Sequence, residues 1–279
     1  MKTFFLFLVS LAACAAKPPV LPEQSIYPGE VRILDFDLLD PAATLECRGT
    51  PVRFSVSKDK ARAVIIETYF SDLAPFACEQ KKGSVLLASY PFRVVPKEYQ
   101  KEFLKVDMKR IKLNKKDQKR ADEEQLILNR IYASSANDFY FKAPFMEPLD
   151  SVKTSIYGIK RVYNNQKHGQ HLGTDYRAPI GVKIPAANRG KVVLARDLFY
   201  TGKTVLIDHG LDVFTNYGHL SKLLVEEGAI VDKGDVIGLS GNTGRTSGPH
   251  LHWGVKIQGQ YVDGVSLVEE TRKTFADGK

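Results

Sequence analysis

The chain has 279 residues and a formal net charge of +8, from 40 lysines and arginines against 32 aspartates and glutamates. This excess of positive charge suits an anionic polymer or a membrane surface as a partner, without singling one out. Only three cysteines occur, and none lies near the segment that holds all six histidines. This distribution argues against cysteine as a metal ligand or catalytic nucleophile.

Residues 1–16 have the features of an export signal. Lys2 supplies a positive start, and Phe4 to Ala13 form an apolar run that is too short to span a membrane as a mature helix. The run ends in Leu11-Ala12-Ala13-Cys14, which resembles the lipobox of bacterial lipoproteins, in which the cysteine is lipidated. The alternative is an ordinary signal peptide, cut after an Ala-x-Ala sequence.

Either interpretation of this signal predicts export to the periplasm. Lipidation predicts in addition a membrane anchor at Cys14. The residue after the cysteine is Ala15 and not an aspartate, a feature that resembles outer-membrane sorting in Gram-negative cells. Nucleic acid is not an expected partner of an exported chain.

Cys47 and Cys78 are the two cysteines outside the signal. Because an exported chain meets oxidising conditions, an even pair predicts one disulfide. The bond would close a loop of about thirty residues and contribute roughly 3 kcal/mol on the chain-entropy model.

The next part of the chain is predicted to be a proline-rich tether at residues 17–24 and a β-rich module at residues 25–113. Short β-rich runs separated by turn residues are typical of a small β-sandwich. The runs begin at Val31, Val52, Ala63, Val85 and Phe103. The module contains no histidine and no catalytic constellation. We therefore interpret it as a spacer or docking module.

Residues 114–149 are predicted to be a helix followed by a linker. Asn114 suits the N-cap position. Helical spacing then continues to about Ser134, with an apolar stripe at Ala121, Leu126, Ile127 and Ile131. Lysines and arginines crowd residues 97–120, either as a solvated face or as a surface for an anionic partner.

Residues 150–268 are rich in glycine and in short β-runs, which predicts a mainly β domain large enough for its own core. Residues 269–279 are expected to be a C-terminal tail. The three fragments of interest are His171-Leu-Gly-Thr-Asp175, Tyr217-Gly-His219-Leu220 and Gly248-Pro-His250-Leu-His252-Trp253.

Strand geometry predicts how these side chains meet. Residues two apart in a strand point to one face, so His171 and Asp175 should share a face, with Gly173 leaving room for a metal between them. By the same rule His250 and His252 share a face. Two imidazoles and a carboxylate with an open fourth position are typical of a catalytic zinc site. Each fragment alone is weak evidence, because such pairs are also common as surface ion pairs or structural contacts.

Together, in this order and with these flanking glycines, the fragments resemble the lysostaphin/LytM-type zinc metallopeptidases, which cut peptide cross-links in bacterial cell walls. The resemblance covers about residues 150–268. It also includes Thr154-Ser155-Ile156-Tyr157-Gly158, Arg161-Val162-Tyr163-Asn164, Ile207-Asp208-His209-Gly210 and Ser240-Gly241-Asn-Thr-Gly244. Similar immunoglobulin-like modules precede some members of the family, which implies such a fold for the N-terminal module.

The resemblance implies an antiparallel-β peptidase domain with Zn²⁺ held by His171, Asp175 and His252 in a groove between loops. It implies catalytic roles for His219 and His250. One takes the proton of a water, and the other supports the oxyanion or protonates the leaving amine. Which histidine does which stays open.

The remaining histidines and the single tryptophan receive smaller roles. His168 is expected at the rim, His209 in a structural turn and Trp253 in the core.

The expected function is zinc-dependent hydrolysis of peptidoglycan cross-links during cell-wall remodelling. Two alternatives stay open. Some relatives have lost zinc ligands and activate cell-wall amidases without being enzymes, and a zinc peptidase can also act on a protein. All five metal-site and catalytic positions are filled here, which weighs against the regulator. The bond that is cut, and whether the residues before 150 cover the groove, stay open as well.

Overall fold

The computed structural model describes residues 18–104, 113–164 and 167–276. The export signal with Cys14, most of the β-run predicted over 103–113 and the end of the expected tail lie outside the described residues. Within the described ranges the chain forms 22 strands and two helices, which confirms the predicted mainly β class.

The first eight strands form a two-layered sandwich. They are β1 (Gln24–Ile26), β2 (Val31–Asp37), β3 (Thr44–Cys47), β4 (Thr50–Val52), β5 (Phe54–Ser57), β6 (Lys60–Ile66), β7 (Phe76–Lys82) and β8 (Val85–Val94). One sheet has the order β1-β8-β7-β3-β4 and the other β2-β6-β5. Phe36, Leu45 and Phe92 from the two sheets belong to one buried cluster. Because the inner faces share a core, the layers hold each other in place.

The disulfide predicted from the cysteine count is present. Cys47 on β3 and Cys78 on β7 are direct register partners in neighbouring antiparallel strands. Their Cα atoms are 4.1 Å apart, and the bond joins positions 31 residues apart in the chain.

Arg53 marks the point where the chain crosses between the two sheets. The run predicted from Val52 is divided there, because β4 belongs to the five-stranded sheet and β5 to the three-stranded one. The guanidinium of Arg53 donates to a carboxylate oxygen of Asp212 at 2.8 Å and to the carbonyl of Ala136 at 2.7 Å. The crossing residue thereby ties the sandwich to the C-terminal half.

Helix α1 spans Lys115–Tyr132, after the short strand β9 (Lys101–Leu104). The side chain of Asn114 accepts from the backbone N–H of Asp117 at 2.9 Å, the N-cap contact expected from the sequence. Ile131 and Tyr132 pack against a cluster around Leu194. Leu126, expected on the apolar stripe, is 58% exposed because it lies on the opposite face.

The C-terminal half follows with thirteen strands and one helix in the described part of the chain. They are β10 (Lys153–Ser155), β11 (Lys160–Tyr163), β12 (Lys167–Gln170), β13 (Thr174–Arg177), β14 (Lys183–Pro185), β15 (Gly190–Leu198), β16 (Gly202–Asp208), β17 (Val213–Leu220), β18 (Lys222–Leu223), β19 (Ile230–Val231), β20 (Val236–Leu239), β21 (His250–Ile257), β22 (Gln260–Val262) and α2 (Gly264–Ala276).

The main sheet of this half has the order β10-β13-β21-β17-β16-β15-β19, with β22 beside β21. Every strand pair in it is antiparallel, as the family resemblance implies. Tyr217 and Trp253 lie fully buried in its core. Two small sheets flank it, β14-β20-β18 and β12-β11-β9. In the second, β9 pairs in parallel with β11, so the last described strand before α1 joins the C-terminal half.

Residues 269–276, expected to begin a tail, continue helix α2. Leu267 and Val268 belong to the core of the main sheet, and Thr271 is fully buried. The prediction of a tail is therefore wrong up to Ala276. The sequence stretch is short and polar enough to resemble a tail, but its apolar face is covered by the sheet.

Helix α2 also forms hydrogen bonds to strand β2 of the sandwich. Ser266 Oγ accepts from the backbone N–H of Val31 at 2.9 Å, and a carboxylate oxygen of Glu270 accepts from that of Ile33 at 3.2 Å. Val31 and Val64 belong to the same buried cluster as the main-sheet core. The two halves are thus joined by shared core packing. Neither helix in the described ranges is long and apolar enough to cross a membrane.

Candidate metal centre and the histidines around it

Strands β13 and β21 bring Asp175 and His252 together. The two strands are antiparallel neighbours, and Asp175 and His252 are direct register partners. His250 pairs with Arg177, two positions along, so it lies on the same face as His252. The sheet therefore supplies one carboxylate and two imidazoles on one surface, as the alternation in the sequence predicts.

His171 reaches this surface from outside a strand. The sequence analysis places His171 and Asp175 in one strand, whereas β12 ends at Gln170 and β13 begins at Thr174. The backbone N–H of His171 donates to the carbonyl of Ile159, and its carbonyl accepts from the N–H of Gly158. These two bonds fix the connection between β12 and β13, and the buried imidazole points back to Asp175.

Three ligand atoms converge at the surface. Asp175 Oδ1 lies 3.1 Å from His171 Nε2 and 2.8 Å from His252 Nδ1, and the two nitrogens are 3.4 Å apart. A tetrahedral zinc site with Zn–N bonds of about 2.0–2.1 Å has neighbouring ligand atoms about 3.3 Å apart. The three atoms thus have spacings close to those that a zinc ion requires, and they form a group that could hold a metal.

The hydrogen bonds of His171 support this use of its Nε2. Its Nδ1 lies 3.0 Å from the carbonyl oxygen of Ile156 and 3.0 Å from Ser155 Oγ. A carbonyl oxygen can only accept, so Nδ1 carries the proton. Nε2 is then left with a lone pair directed at Asp175 and His252, the arrangement that an imidazole ligand needs.

Gly173 is required by the ring of His252. A Cβ at position 173 would lie 2.5 Å from Cε1 and 2.7 Å from Nε2 of that imidazole. From the sequence, the missing side chain is expected to make room for a metal. The structure instead places the His252 ring against the glycine, so the glycine makes room for a ligand.

Asp175 is held as a carboxylate. Burial would raise its pKa, but the neighbouring imidazoles of His171 and His252 outweigh the burial and hold the pKa well below its usual range. An ionised carboxylate between two imidazoles is the state in which Asp175 can bind a cation.

A β-bulge presents His219. The register between β16 and β17 shifts between Lys203 and Val205, and His219 sits at this irregularity with φ +61°. Its N–H donates to the carbonyl of Thr201 at 2.6 Å. Bulges of this kind turn a side chain out of its regular alternation and are common beside active sites.

The ring of His219 is oriented from behind. Its Nδ1 donates to the carbonyl of Thr243 at 2.8 Å, so Nε2 is the free acceptor. Burial lowers the pKa of His219 to about 4, and the hydrogen bond to Thr243 opposes this only in part. The imidazole is therefore neutral at neutral pH.

His250 is oriented in the same way. Its Nδ1 donates to the carbonyl of Gly248 at 2.8 Å and lies 3.1 Å from Thr246 Oγ1. Its Nε2 lies 3.6 Å from Asp175 Oδ1, and its ring centroid is 4.7 Å from that of His219. Two imidazoles with free Nε2 atoms therefore stand beside the candidate metal ligands, which is an arrangement suited to moving protons.

The other two histidines lie where the sequence analysis expects them. His168 is exposed on β12. His209 is fully buried, with Nδ1 against the carbonyl of Arg189 and Nε2 against Thr215 Oγ1, both at 2.8 Å. Trp253 is buried on the face opposite His252. None of the three takes part in the cluster.

Sequence reasoning missed the supports of the cluster. Ser155 and Arg161 occur in the quoted family motifs, but the sequence gives them no role, and the structure places both against the candidate ligands. Thr246 received no role either, although it contacts His250. The carbonyl of Thr243 holds His219, and its hydroxyl bonds to Lys203 and Leu220. Such contacts depend on how loops and strands of different sheets pack together, which strand periodicity does not predict.

Residues 169–264 match Peptidase family M23. Peptidoglycan DD-endopeptidase ShyA of Vibrio cholerae is 47% identical over 93 residues, which are 33% of this chain and 22% of ShyA. DD-carboxypeptidase/endopeptidase Mpg of Neisseria meningitidis is 42% identical over 101 residues, 36% of this chain and 23% of Mpg. The alignments thus span less than a quarter of either relative.

A similarity in structure extends further along the chain. The crystal structure of a candidate M23 peptidase from Pseudomonas aeruginosa aligns with a TM-score of 0.68 and 26% identity, over 88% of this chain and 95% of that one. This coverage reaches well beyond the matched segment, into the residues that precede it. The matched segment itself contains the convergent histidines and aspartate of the cluster. The part of the chain that carries the cluster, residues 169–264, is therefore similar to Peptidase family M23.

Proposed function

We propose that the chain is a zinc-dependent endopeptidase that hydrolyses peptide cross-links of bacterial peptidoglycan during cell-wall remodelling. The observation that carries the proposal is the convergence of one carboxylate and two imidazole nitrogens within 4.8 Å, with two further imidazoles beside them. The family match and the names of ShyA and Mpg support this reaction class.

In this proposal His171, Asp175 and His252 hold the zinc ion. The donor set is one oxygen and two nitrogens, which leaves a fourth position for water or substrate and is typical of catalytic zinc. A zinc ion bound there supplies a Lewis acid that polarises a peptide carbonyl and makes water more acidic near neutral pH.

His219 and His250 perform the proton transfers. Each donates its Nδ1–H to a backbone carbonyl and presents Nε2. One accepts a proton from the attacking water at Nε2, and the other, in the form protonated at Nε2, donates to the leaving amine or stabilises the oxyanion. The short distance between the rings places both beside the same reacting group.

The substrate and location follow from the relatives' names, the charge and the leader-like sequence. The formal charge of +8 suits an anionic cell wall. Export to the periplasm and a lipid anchor at Cys14 in the outer membrane would place the enzyme beside peptidoglycan. We expect a fatty acid to label the parent chain and not the variant Cys14→Ala. Equal labelling of the variant would exclude this anchor.

The remaining domain assignment belongs to the same proposal. Residues 25–113 serve as a spacer or docking module, residues 114–149 lead from it into the catalytic part, and residues 150–268 carry the candidate site residues.

The decisive experiment is digestion of purified peptidoglycan by residues 17–279, with zinc and with a chelator. The variants are His171→Ala and His250→Ala, and His168→Ala is the matched control because His168 is an exposed histidine outside the cluster. Release of cross-link fragments, read by mass spectrometry, should require zinc. It should fall by at least a hundredfold in the first two variants and stay unchanged in the control.

The alternatives give different outcomes in the same experiment. Intact peptidoglycan together with cleavage of a generic protein would point to a protein substrate. Intact peptidoglycan that an added amidase degrades only when the chain is present would point to a regulator. Equal activity of His171→Ala and the parent would contradict the proposed site.

A further inference from the structure

We propose that Arg161 is a positioning residue that aligns two of the metal ligands, Asp175 directly and His171 through Ser155. The inference rests on the metal site of the proposed function. Arg161 lies on β11, outside the main sheet that carries Asp175, so the alignment links two sheets.

The contact with Asp175 uses the oxygen that faces away from the other ligands. Asp175 Oδ1 is directed at His171 and His252, whereas Oδ2 lies 3.6 Å from Arg161 Nη2. The two side chains are 21% and 12% exposed, so water screens their attraction only in part. The guanidinium of Arg161 beside Oδ2 fixes the rotation of the carboxylate and keeps Oδ1 turned to the other ligands.

The contact with His171 passes through a hydroxyl. The same Nη2 donates to Ser155 Oγ at 2.8 Å, and Ser155 Oγ lies 3.0 Å from His171 Nδ1. Because Arg161 supplies a proton to this oxygen, a lone pair of Ser155 is available to Nδ1–H. The imidazole is then held from two sides, by Ser155 and by the carbonyl of Ile156, with its plane and its Nε2 lone pair fixed.

Arg161 is itself held from the opposite side. Its Nε lies 3.3 Å from a carboxylate oxygen of Glu102, and the two residues are register partners on β11 and β9. The planar guanidinium can hold Glu102 with one nitrogen and the site with another, because its donors are fixed in one fork. A lysine has the charge without this fork.

Zinc affinity tests the inference without any wall substrate. Metal-free protein, residues 17–279, is titrated with zinc against a chromophoric chelator. We expect Arg161→Gln to weaken zinc binding by about 10–100-fold, the usual effect of removing a group that orients ligands, and Arg161→Lys to recover part of it. Arg196→Gln is the matched control, because Arg196 is also a strand arginine paired with a glutamate and lies outside the cluster.

Cobalt as a zinc substitute gives a spectroscopic readout. The visible absorption of bound Co²⁺ depends on ligand geometry, so Arg161→Gln should change its bands while Arg196→Gln leaves them as in the parent. The thermal melting of the metal-free variants serves as the measure of a purely structural effect.

Ser155→Ala separates the two branches of the inference. It should weaken zinc binding less than Arg161→Gln, because Ile156 still holds His171 and Arg161 still holds Asp175. The loss in the double variant should be smaller than the product of the two single losses, since one connection is shared.

Several outcomes would overturn the inference. Parent-like zinc affinity and cobalt bands in Arg161→Gln would show that the arginine has at most a structural role, even if melting changes. A parent that fails to bind zinc would remove the site itself. In contrast, a parent that binds zinc and loses affinity on Arg161→Gln, yet digests no peptidoglycan, would support the positioning role and contradict the proposed function.

Discussion

At the scale of single residues, His209 makes the fold sensitive to acid. The imidazole is fully buried, and the cost of burying a charge lowers its pKa from 6.5 to about 4. The unfolded chain therefore binds a proton below about pH 6.5, while the folded chain does not until about pH 4. The stabilisation by neutral His209 is complete above the unfolded pKa and is lost as the pH falls from 6.5 towards 4.

Urea unfolding of the metal-free protein at pH 7.5 and pH 4.5 measures this effect. We expect the drop in unfolding free energy between the two pH values to be smaller in His209→Gln than in the parent, by roughly 2 kcal/mol. The variant should be less stable than the parent at pH 7.5, because the bonds to Arg189 and Thr215 are altered. An identical pH dependence in parent and variant would show that His209 is protonated equally in both states.

The convergence of the candidate site residues could be predicted from the sequence, but their detailed geometry could not. His250 and His252 lie on one face because strand alternation holds along β21. Alternation fails for His171, which lies between two strands, and for His219, which sits in a bulge. Both exceptions depend on long-range backbone bonds, to Ile159 and to Thr201, that no local pattern contains.

At the scale of secondary-structure elements, the strands were more predictable than their partners. Strands β2, β6 and β8 overlap the runs predicted from the sequence, because alternating apolar residues indicate a half-buried strand. The division at Arg53 between two sheets and the pairing of β9 with β11 are decided by tertiary contacts. Helix α2 shows the same limit, since its burial depends on the sheet that it covers.

At the scale of the whole molecule, the segment before residue 150 is part of the core of the main sheet. Phe141 and Phe145 are buried in the main cluster, and the backbone N–H of Phe145 donates to Thr271 Oγ1 at 3.0 Å. Ser135 contributes a further bond to Asp208. A domain boundary at residue 150, where the family resemblance begins, would therefore leave core positions empty.

This arrangement predicts how truncated chains behave. Residues 150–279 lose Phe141 and Phe145, each worth about 3–5 kcal/mol in a core, whereas residues 134–279 keep both. We expect the shorter chain to be unfolded or aggregated at room temperature. The longer one should fold but melt below the full chain, because helix α2 loses its bonds to Val31 and Ile33. Thermal melting followed by circular dichroism distinguishes the two.

The same pair of chains decides how an inhibitory role of the N-terminal residues can be tested. If the groove is covered by those residues, the chain 134–279 should digest peptidoglycan faster than the full chain. The chain 150–279 cannot report this, since loss of its core would abolish activity for another reason. Equal melting temperatures of the two truncated chains would contradict the assignment of Phe141 and Phe145 to the core of the main sheet, and residue 150 would then be a true domain boundary.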